Sequence, residues 1–279
     1  MNLVKSKSRS PANPLGELLR HWRDTRGRSQ IELSLDAGIS QRHLSFIEIG
    51  RSVPSRETLI GIATALDIPL RDRNALLLAA GYAPIYAETD WDAGQMRSVT
   101  GALKRMLRQH DPFPAVVMDR YWNVLIANES APRFFSGFVD MASRPKPRNL
   151  LHLMFDPAGM RPFIANWDQV ASSLIERVHR EAVGRVVDEK CQDLVAALLA
   201  YPGAKPEWRT PRSASAASEL PVIPMDFIKD GATLSYFSML STVATPQTVV
   251  AQELRIESLF PMDEATEARH SLLMSGVHA

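Results

Sequence analysis

Cysteine is almost absent from this 279-residue chain, in which Cys191 stands alone. A single thiol excludes an internal disulfide framework and a metal site built from several cysteines. No run of 18 or more apolar residues is present, and the basic start of the chain lacks the apolar segment of a secretory signal. These absences predict a protein of the reducing cytoplasm that has no membrane partner.

Sequence motifs of common enzyme classes are missing as well. The chain contains no HExxH, GxSxG, GxxxxGK or GxGxxG stretch. His152 and His179 are too far apart in sequence to indicate a metal pair, and nothing in their spacing singles out a haem ligand. Cys191 has the apolar neighbours of a buried, unreactive thiol. We therefore predict that the protein is not an enzyme and has no metal site and no cofactor.

Basic charge is concentrated in the first third of the chain. Residues 1–87 hold 12 Lys and Arg against 8 Asp and Glu, whereas the remaining 192 residues hold 20 against 23. Lys5, Lys7 and Arg9 form a basic N-terminal arm. The chain is also longer than a single core usually allows. Together these features predict two domains, the first of which binds a polyanion.

Five short helices are predicted within the first 82 residues. Ser29, with Glu32 three residues later, forms a capping-box pattern that opens the second helix, and Gly38 ends it. Ser40 then caps a third helix over residues 41–48. Two helices joined by a short turn with a leading glycine form a helix-turn-helix, whose second helix lies in the DNA major groove.

Polar side chains at the start of the third helix are suited to DNA base edges, because glutamine pairs with adenine and arginine with guanine. We expect neighbouring residues to contact DNA phosphates, and such contacts position the protein without distinguishing one base from another. The predicted base-contacting residues are Gln41, Arg42, His43 and Ser45. The predicted positioning residues are Arg28, Gln30 and Arg51. The alternative for this domain, residues 1–86, is a small helical interaction bundle in which these polar residues are only a solvated face.

Beyond residue 86 the pattern changes from helices alone to helices and strands. Residues 87–94 form the expected linker, and residues 266–279 the expected C-terminal tail. Between them, two strands, a helical middle and three further strands predict an α+β domain over residues 95–265. We expect its antiparallel sheet to be covered by helices on one face. The longer helices are expected near residues 94–110, 161–183 and 188–200.

Several stretches of the chain resemble a known family. The segments GISQRHLSFIEIGRSVPSRETL and IPLRDRNALLLAAGYAP resemble the phage-repressor-like helix-turn-helix domain of XRE-family regulators, in the branch named for MmyB-like proteins. The segments LHLMFDPAGMRPFIANWDQVASSLIERVHREA and QELRIESLFPMDEAT resemble the PAS-like ligand-binding domain of that branch. The match places the base-reading positions at Gln41, Arg42 and Ser45. Phe46 stands where the phage pattern commonly has a polar base-reading residue, so no such role is carried over to it.

The resemblance implies a transcriptional regulator that binds double-stranded DNA and senses a small apolar ligand, a fatty acid or a similar acyl compound. One module reads only a short half-site, so we expect a homodimer on a pseudo-palindromic operator. The alternative function is a ligand-binding carrier or a protein-interaction module, and an enzyme acting on an acyl compound is a further alternative.

The PAS-like fold places a pocket between its sheet and its helices. Methionine and aromatic side chains suit an adaptable apolar pocket, and an arginine suits a carboxylate head group. An ordinary core is the alternative interpretation of each apolar side chain. The candidate ligand contacts are Met118, Trp122, Phe134, Phe135, Phe155, Phe163, Trp167, Phe237, Met239 and Arg161.

Overall fold

The computed structural model describes residues 13–181, 188–209 and 222–276. The chain divides into two units, Met1–Glu88 and Thr89–Ala279. The basic arm predicted from the sequence lies outside the described residues. No helix within these ranges is long and apolar enough to span a membrane.

The five helices expected near the N-terminus are present, and both predicted N-caps, Ser29 and Ser40, begin helices. Ser29, Ser40 and Ser55 each accept a hydrogen bond from the backbone N–H three residues further on. The Glu32 carboxylate accepts from the Ser29 N–H at 2.8 Å, which completes the predicted capping box. The helices are α1 (Pro14–Thr25), α2 (Gln30–Asp36), α3 (Gln41–Glu48), α4 (Arg56–Ala65) and α5 (Leu70–Ala79).

The contact between α1 and α3 fixes the direction of α3. Asn13 caps α1 through its Oδ1 atom, which accepts from the Gly16 N–H at 3.1 Å. Its Nδ2 atom donates to the last carbonyls of α3, at 3.1 Å for Glu48. A Cβ at Gly16 would lie 2.1 Å from the Glu48 carbonyl oxygen, so only glycine allows this approach. Leu44 and Ile47 of α3 are fully buried in the helical core.

The second unit is an α+β domain built on a five-stranded antiparallel sheet with the order β2-β1-β5-β4-β3. Its strands are β1 (Ala115–Met118), β2 (Val124–Ala127), β3 (Met225–Lys229), β4 (Ala232–Ser241) and β5 (Arg255–Pro261). Its helices are α6 (Arg97–Gln109), α7 (Ser130–Ser136), α8 (Leu150–Phe155), α9 (Trp167–Glu181), α10 (Glu189–Ala200), α11 (Val249–Glu253) and α12 (Glu264–Ser275). The predicted order of two strands, a helical middle and three strands is confirmed.

Helices cover both faces of the central strands β1 and β5. Val116 and Leu259 belong to the large core formed with α7, α8 and α9. Val117 and Ile256 belong to a separate core formed with α6 and α11. The expectation of a sheet covered on one face is therefore wrong for these strands. Apolar side chains at successive positions of β1 are the reason, because a strand buried on both faces carries a continuous apolar run.

The C-terminal segment is part of the fold, and its interpretation as a tail over residues 266–279 is wrong up to Ser275. Helix α12 contacts β4, β5 and α7. His270 is fully buried, with its Nδ1 atom 2.7 Å from the Tyr236 hydroxyl and its Nε2 atom 2.8 Å from the Pro112 carbonyl oxygen. The carbonyl accepts only, so Nε2 carries the ring proton and the tyrosine hydroxyl donates to Nδ1.

Tyr86, just before the predicted linker, and Glu88 within it are bound to the helical unit. The Asn74 amide donates to the Tyr86 carbonyl at 2.8 Å, and its oxygen accepts from the Tyr86 N–H at 3.1 Å. Arg71 binds the Glu88 carboxylate at 2.7 Å. The boundary between the two units, after Glu88, falls inside the predicted linker over residues 87–94.

Stability should fall as the pH drops below about 6.5, the ordinary pKa of histidine. Burial lowers the pKa of His270, although the Pro112 carbonyl and the Glu267 carboxylate oppose that shift. Burial lowers the pKa of His152 in the same way. The unfolded chain therefore binds protons more readily than the folded chain. The contribution of these histidines to stability is complete above their pKa in the unfolded chain and is lost as the pH falls through their lower pKa in the folded chain.

Urea unfolding between about pH 8 and pH 5 measures this effect. In His270→Gln, which cannot titrate but keeps a donor near Pro112, we expect a weaker dependence of the unfolding free energy on pH. An unchanged dependence would show that His270 does not carry it.

Candidate DNA interface and ligand-binding cavity

The start of α3 presents polar side chains to solvent. Gln41 and Arg42 are exposed, while His43 and Ser45 are half-buried. The Ser40 cap fixes the first turn, and burial of Leu44 and Ile47 fixes the rotation of the helix. The helix thus holds on its outer side the residue types that read bases in a major groove.

Phe46 supports Arg42, a role that sequence reasoning missed. The guanidinium carbon of Arg42 lies 5.2 Å from the centre of the Phe46 ring. Arginine and an aromatic ring four residues apart meet on one helix face and attract each other. The spacing of these two residues was the available signal. Phe46 thus orients the arginine beside it.

Glu48, a second residue that sequence reasoning missed, connects α1, α2 and α3. Its side chain is 1% exposed. One carboxylate oxygen accepts from Arg23 Nε at 2.8 Å, and the other accepts from Gln30 Nε2 at 2.8 Å. The hydrogen bond to Glu48 raises the pKa of Arg23, although burial opposes it. One amide hydrogen of Gln30 is used here, and no acceptor in the described part of the chain binds the other, which leaves it for an outside acceptor.

The remaining candidates for phosphate contacts lie near the ends of α2 and α3. Arg51 is exposed and lies three residues after the end of α3, with its backbone N–H bound to the Phe46 carbonyl at 2.8 Å. Arg28 precedes α2, and its guanidinium lies 3.4 Å from the Asp36 carboxylate. Both partners of that ion pair are nearly half exposed, so its strength is low in water. Arg28 is therefore available to another anion.

A small cavity lies between the sheet and helices α7, α8 and α9. Its volume is about 30 Å³, far below the roughly 300–1,000 Å³ of ordinary ligand pockets. Its walls are almost entirely apolar, so a ligand larger than a few atoms requires the side chains around it to move. The lining residues are Pro114, Ala115, Val116, Trp122, Phe135, Leu150, Leu151, Met154, Leu174, Met225, Phe227, Glu257 and Leu259.

The structure brings two of the predicted ligand contacts, Trp122 and Phe135, to the wall of this cavity. Most of the others pack in the large core without lining it. Arg161 donates to the Pro202 carbonyl, lies over the Trp167 ring at 5.4 Å and does not line this cavity. The predicted contacts that pack in or against the core are Met118, Phe134, Phe155, Phe163 and Trp167.

Phe237 and Met239 lie on the opposite face of the sheet, so their assignment to the cavity is wrong. Side chains alternate along a strand, and β4 turns Tyr236 into the core on the cavity side. Phe237 instead stacks on Phe260 with ring centres 5.4 Å apart, and Met239 is 53% exposed. The alternation of side chains along β4 was visible in the sequence. Which of the two alternating sets of side chains faces the core was not.

A buried ion pair at the cavity wall was not predicted. Glu257 on β5 is 6% exposed, and its two oxygens accept from Arg177 of α9 at 3.2 and 3.1 Å. The Arg177 guanidinium carbon lies 4.5 Å from the centre of the Trp122 ring. A glutamate in the middle of the apolar strand IESLF was the available signal. The charge of Glu257 is thus neutralised, and the arginine is held between a carboxylate and an indole.

Trp122 adopts a backbone conformation that tryptophan rarely takes. Its φ is +66°, in the left-handed region, which costs a bulky residue about 1–2 kcal/mol. Asp119 holds the turn, because its carboxylate accepts from the backbone N–H groups of Tyr121 and Asn123 at 2.8 and 2.9 Å. Strain of this kind collects at functional sites. Here it places the indole against both the cavity and Arg177.

Comparisons with known proteins identify both units. Residues 99–273 match the MmyB-like transcription regulator ligand binding domain, and residues 19–72 match the helix-turn-helix model. The first match spans more than half of the chain. The chain belongs to the MmyB-like transcription regulators. The family resemblance drawn from the sequence, with its helix-turn-helix and ligand-binding domains, is confirmed.

Two relatives match part of the chain. They are the transcriptional regulator ClgR from two strains of Mycobacterium tuberculosis, each 43% identical over 67 residues, which is 24% of this chain. The chain spans 57% of the length of these relatives. The similarity therefore concerns about a quarter of this chain.

Replacing Glu48 tests the connection between α1, α2 and α3. We expect Glu48→Ala to lower the free energy of unfolding by about 3 kcal/mol, because Arg23 and Gln30 lose a buried acceptor. The matched control is Asp36→Ala, which removes an exposed carboxylate from an ion pair in the same unit and should cost less than about 1 kcal/mol. Urea unfolding of the full chain measures both. Equal effects of the two variants would contradict the role given to Glu48.

Proposed function

We propose that this MmyB-like regulator binds DNA sequence-specifically through α3 and senses a small apolar ligand in its second unit. The observation that carries the proposal is the exposure of Gln41 and Arg42 on a capped helix whose other side is buried. Both side chains make bidentate hydrogen bonds with base edges. The name of the relatives, a transcriptional regulator, supports the same function.

In this proposal the residues of the first unit divide into two groups. Arg42, supported by Phe46, pairs with guanine, and Gln41 pairs with adenine. Arg51 contacts phosphate, as does the free amide hydrogen of Gln30, and neither contact distinguishes bases. One unit covers a short half-site, so we keep a homodimer on a pseudo-palindromic operator with half-sites about 34 Å apart. The cytoplasm is its proposed location, since the operator DNA is there.

The proposed ligand occupies the cavity between the sheet and α7, α8 and α9. Its apolar lining favours a hydrocarbon group, and the flexible side chains of Met154 and Met225 allow the wall to adapt. A fatty acid or a related acyl compound is the class that the resemblance suggests. The ligand controls DNA binding only to the extent that it binds one arrangement of the protein better than another.

Substitutions in α3 test the DNA part of the proposal. We expect Gln41→Ala and Arg42→Ala each to weaken the binding free energy for the operator by about 1–3 kcal/mol through the loss of one base contact. Each variant should also lose its preference for the base at that position. Arg51→Ala should weaken binding to all DNA sequences alike. Arg97→Ala, an exposed arginine of the second unit, is the control that should change neither affinity nor specificity.

The measurement is selection of binding sites from random DNA by the wild-type chain, followed by affinities for each single-base variant of the selected site. If Arg42→Ala selects the same site with the same base preferences, the proposed orientation of α3 is wrong.

One observation favours a protein partner for the first unit instead. Ile31 and Leu35, four residues apart on α2, are 56% and 75% exposed. An apolar contact of this kind changes little with salt, whereas DNA binding weakens steeply because counterions are released. A binding constant for DNA that does not depend on salt would therefore favour the protein-interaction function.

A further inference from the structure

We propose that the second unit makes its own contact with operator DNA. In this proposal Lys104, Arg105 and Arg108 of α6 bind phosphates outside the base pairs that α3 reads. The helix-turn-helix model matches residues 19–72, so α6 lies beyond it. The inference rests on the proposed DNA binding through α3 and adds a second, sequence-independent surface to it.

The charge of α6 differs from that of the unit to which it belongs. Residues 97–109 contain four basic side chains and no acidic one, whereas residues 88–279 as a whole hold 20 Lys and Arg against 23 Asp and Glu. Positive charge is therefore concentrated on one helix of a slightly acidic unit. A local excess of one sign attracts a partner of the opposite sign.

The rotation of α6 turns its basic side chains to solvent. Leu103 and Leu107 are 5% and 2% exposed and pack in the core formed with β1 and α11. Lys104, Arg105 and Arg108 are exposed. Because residues three and four apart share a helix face, Arg108 lies beside both Lys104 and Arg105. We call these three residues the basic patch.

The basic patch has no anionic partner among the residues that the structure describes. None of its side chains forms an ion pair or a hydrogen bond there. A cation in the last turn of a helix interacts favourably with the helix dipole, which accounts for Arg108. Lys104 and Arg105 lie before the last turn, where that effect has faded. Like charges this close repel each other, and a polyanion would relieve the repulsion.

DNA suits the basic patch better than a membrane surface does. A helix that binds a membrane inserts large apolar side chains beside its basic ones. The leucines of α6 are buried in the core, and Met106 is only 42% exposed. The chain from Glu88, which is bound to the first unit, to Arg97 can span at most about 30 Å. DNA held by α3 is therefore present near α6 at a high effective concentration.

The salt dependence of DNA binding tests the inference in the full-length chain. The variant combines Lys104→Gln, Arg105→Gln and Arg108→Gln. Fluorescence anisotropy measures its affinity for the selected operator, with flanking base pairs, from about 50 to about 300 mM salt. The slope of log K against log salt concentration should become shallower by about 2–3 for each bound chain, because each phosphate contact contributes about 0.9.

Two further measurements place the contact outside the selected site. On a duplex shortened to the selected base pairs, the wild-type chain and the triple glutamine variant should bind equally. Both proteins should select the same site from random DNA, because phosphate contacts do not distinguish bases. A changed base preference in the triple variant would show that the basic patch reads bases, which contradicts the proposal.

A charge-retaining variant is the matched control for the basic patch. Lys104→Arg combined with Arg105→Lys and Arg108→Lys keeps all three cations and should keep the wild-type slope. A loss of affinity equal to that of the glutamine variant would overturn the electrostatic role. Urea unfolding should give both variants the free energy of the wild type within about 0.5 kcal/mol, since exposed side chains without partners add little stability.

Arg97→Gln is the control for position on the helix. Arg97 begins α6, about 10 Å before Lys104, and the exposed Asp90 and Asp92 precede it closely. The slope should therefore stay unchanged in this variant. A change as large per charge as in the triple variant would show that the basic patch has no special role.

The outcomes separate this inference from the function on which it rests. An unchanged slope and affinity in the triple glutamine variant would overturn the inference and leave DNA binding through α3 standing. If that variant instead lost binding to vesicles of anionic lipid while its DNA binding stayed the same, the partner would be a membrane. Failure of the wild-type chain to bind any DNA would overturn the inference together with the proposed function.

Discussion

A buried charge has to be paired, and this constraint organises both units of the protein. Glu48 and Glu257 are carboxylates removed from water, and each is bound by an arginine of a different element. Without its arginine, either buried carboxylate would lower the free energy of unfolding by several kcal/mol. The pairing therefore determines which elements lie together: α1 and α2 against the end of α3 in one unit, and α9 against β5 in the other.

Each pairing also positions a group with a proposed function. Glu48 holds Gln30 at the start of α2 while Asn13 and Gly16 fix the approach of α1 to α3. Glu257 holds Arg177, which covers the strained Trp122 at the cavity wall. The surface that faces DNA in our proposal and the surface that faces the ligand are thus both held by interactions behind them. Movement of Arg23 would therefore change the proposed DNA-binding surface, and movement of Arg177 would change the wall of the cavity.

Local features of the fold were predictable from the sequence, whereas contacts between distant residues were not. The capping box at Ser29 and the cap at Ser40 depend on neighbours three residues away, so the boundaries of α2 and α3 followed directly. Glu48 meets Arg23 and Gln30 from 25 and 18 residues away, and no local pattern marks that meeting. The alternation in β4 was clear, but which side the core covers depends on α7 and α12, elements far from β4 in sequence.

The central claim of this account is that occupation of the cavity changes the affinity for DNA. The most direct test measures the dissociation constant for the selected operator with and without saturating octanoate, in the wild-type chain and in Leu150→Phe, which fills the cavity. We expect a change of at least about fivefold in the wild type, in the range of ordinary allosteric coupling, and none in the variant. An identical dissociation constant for the wild type, at an octanoate concentration shown to saturate binding, would contradict the claim.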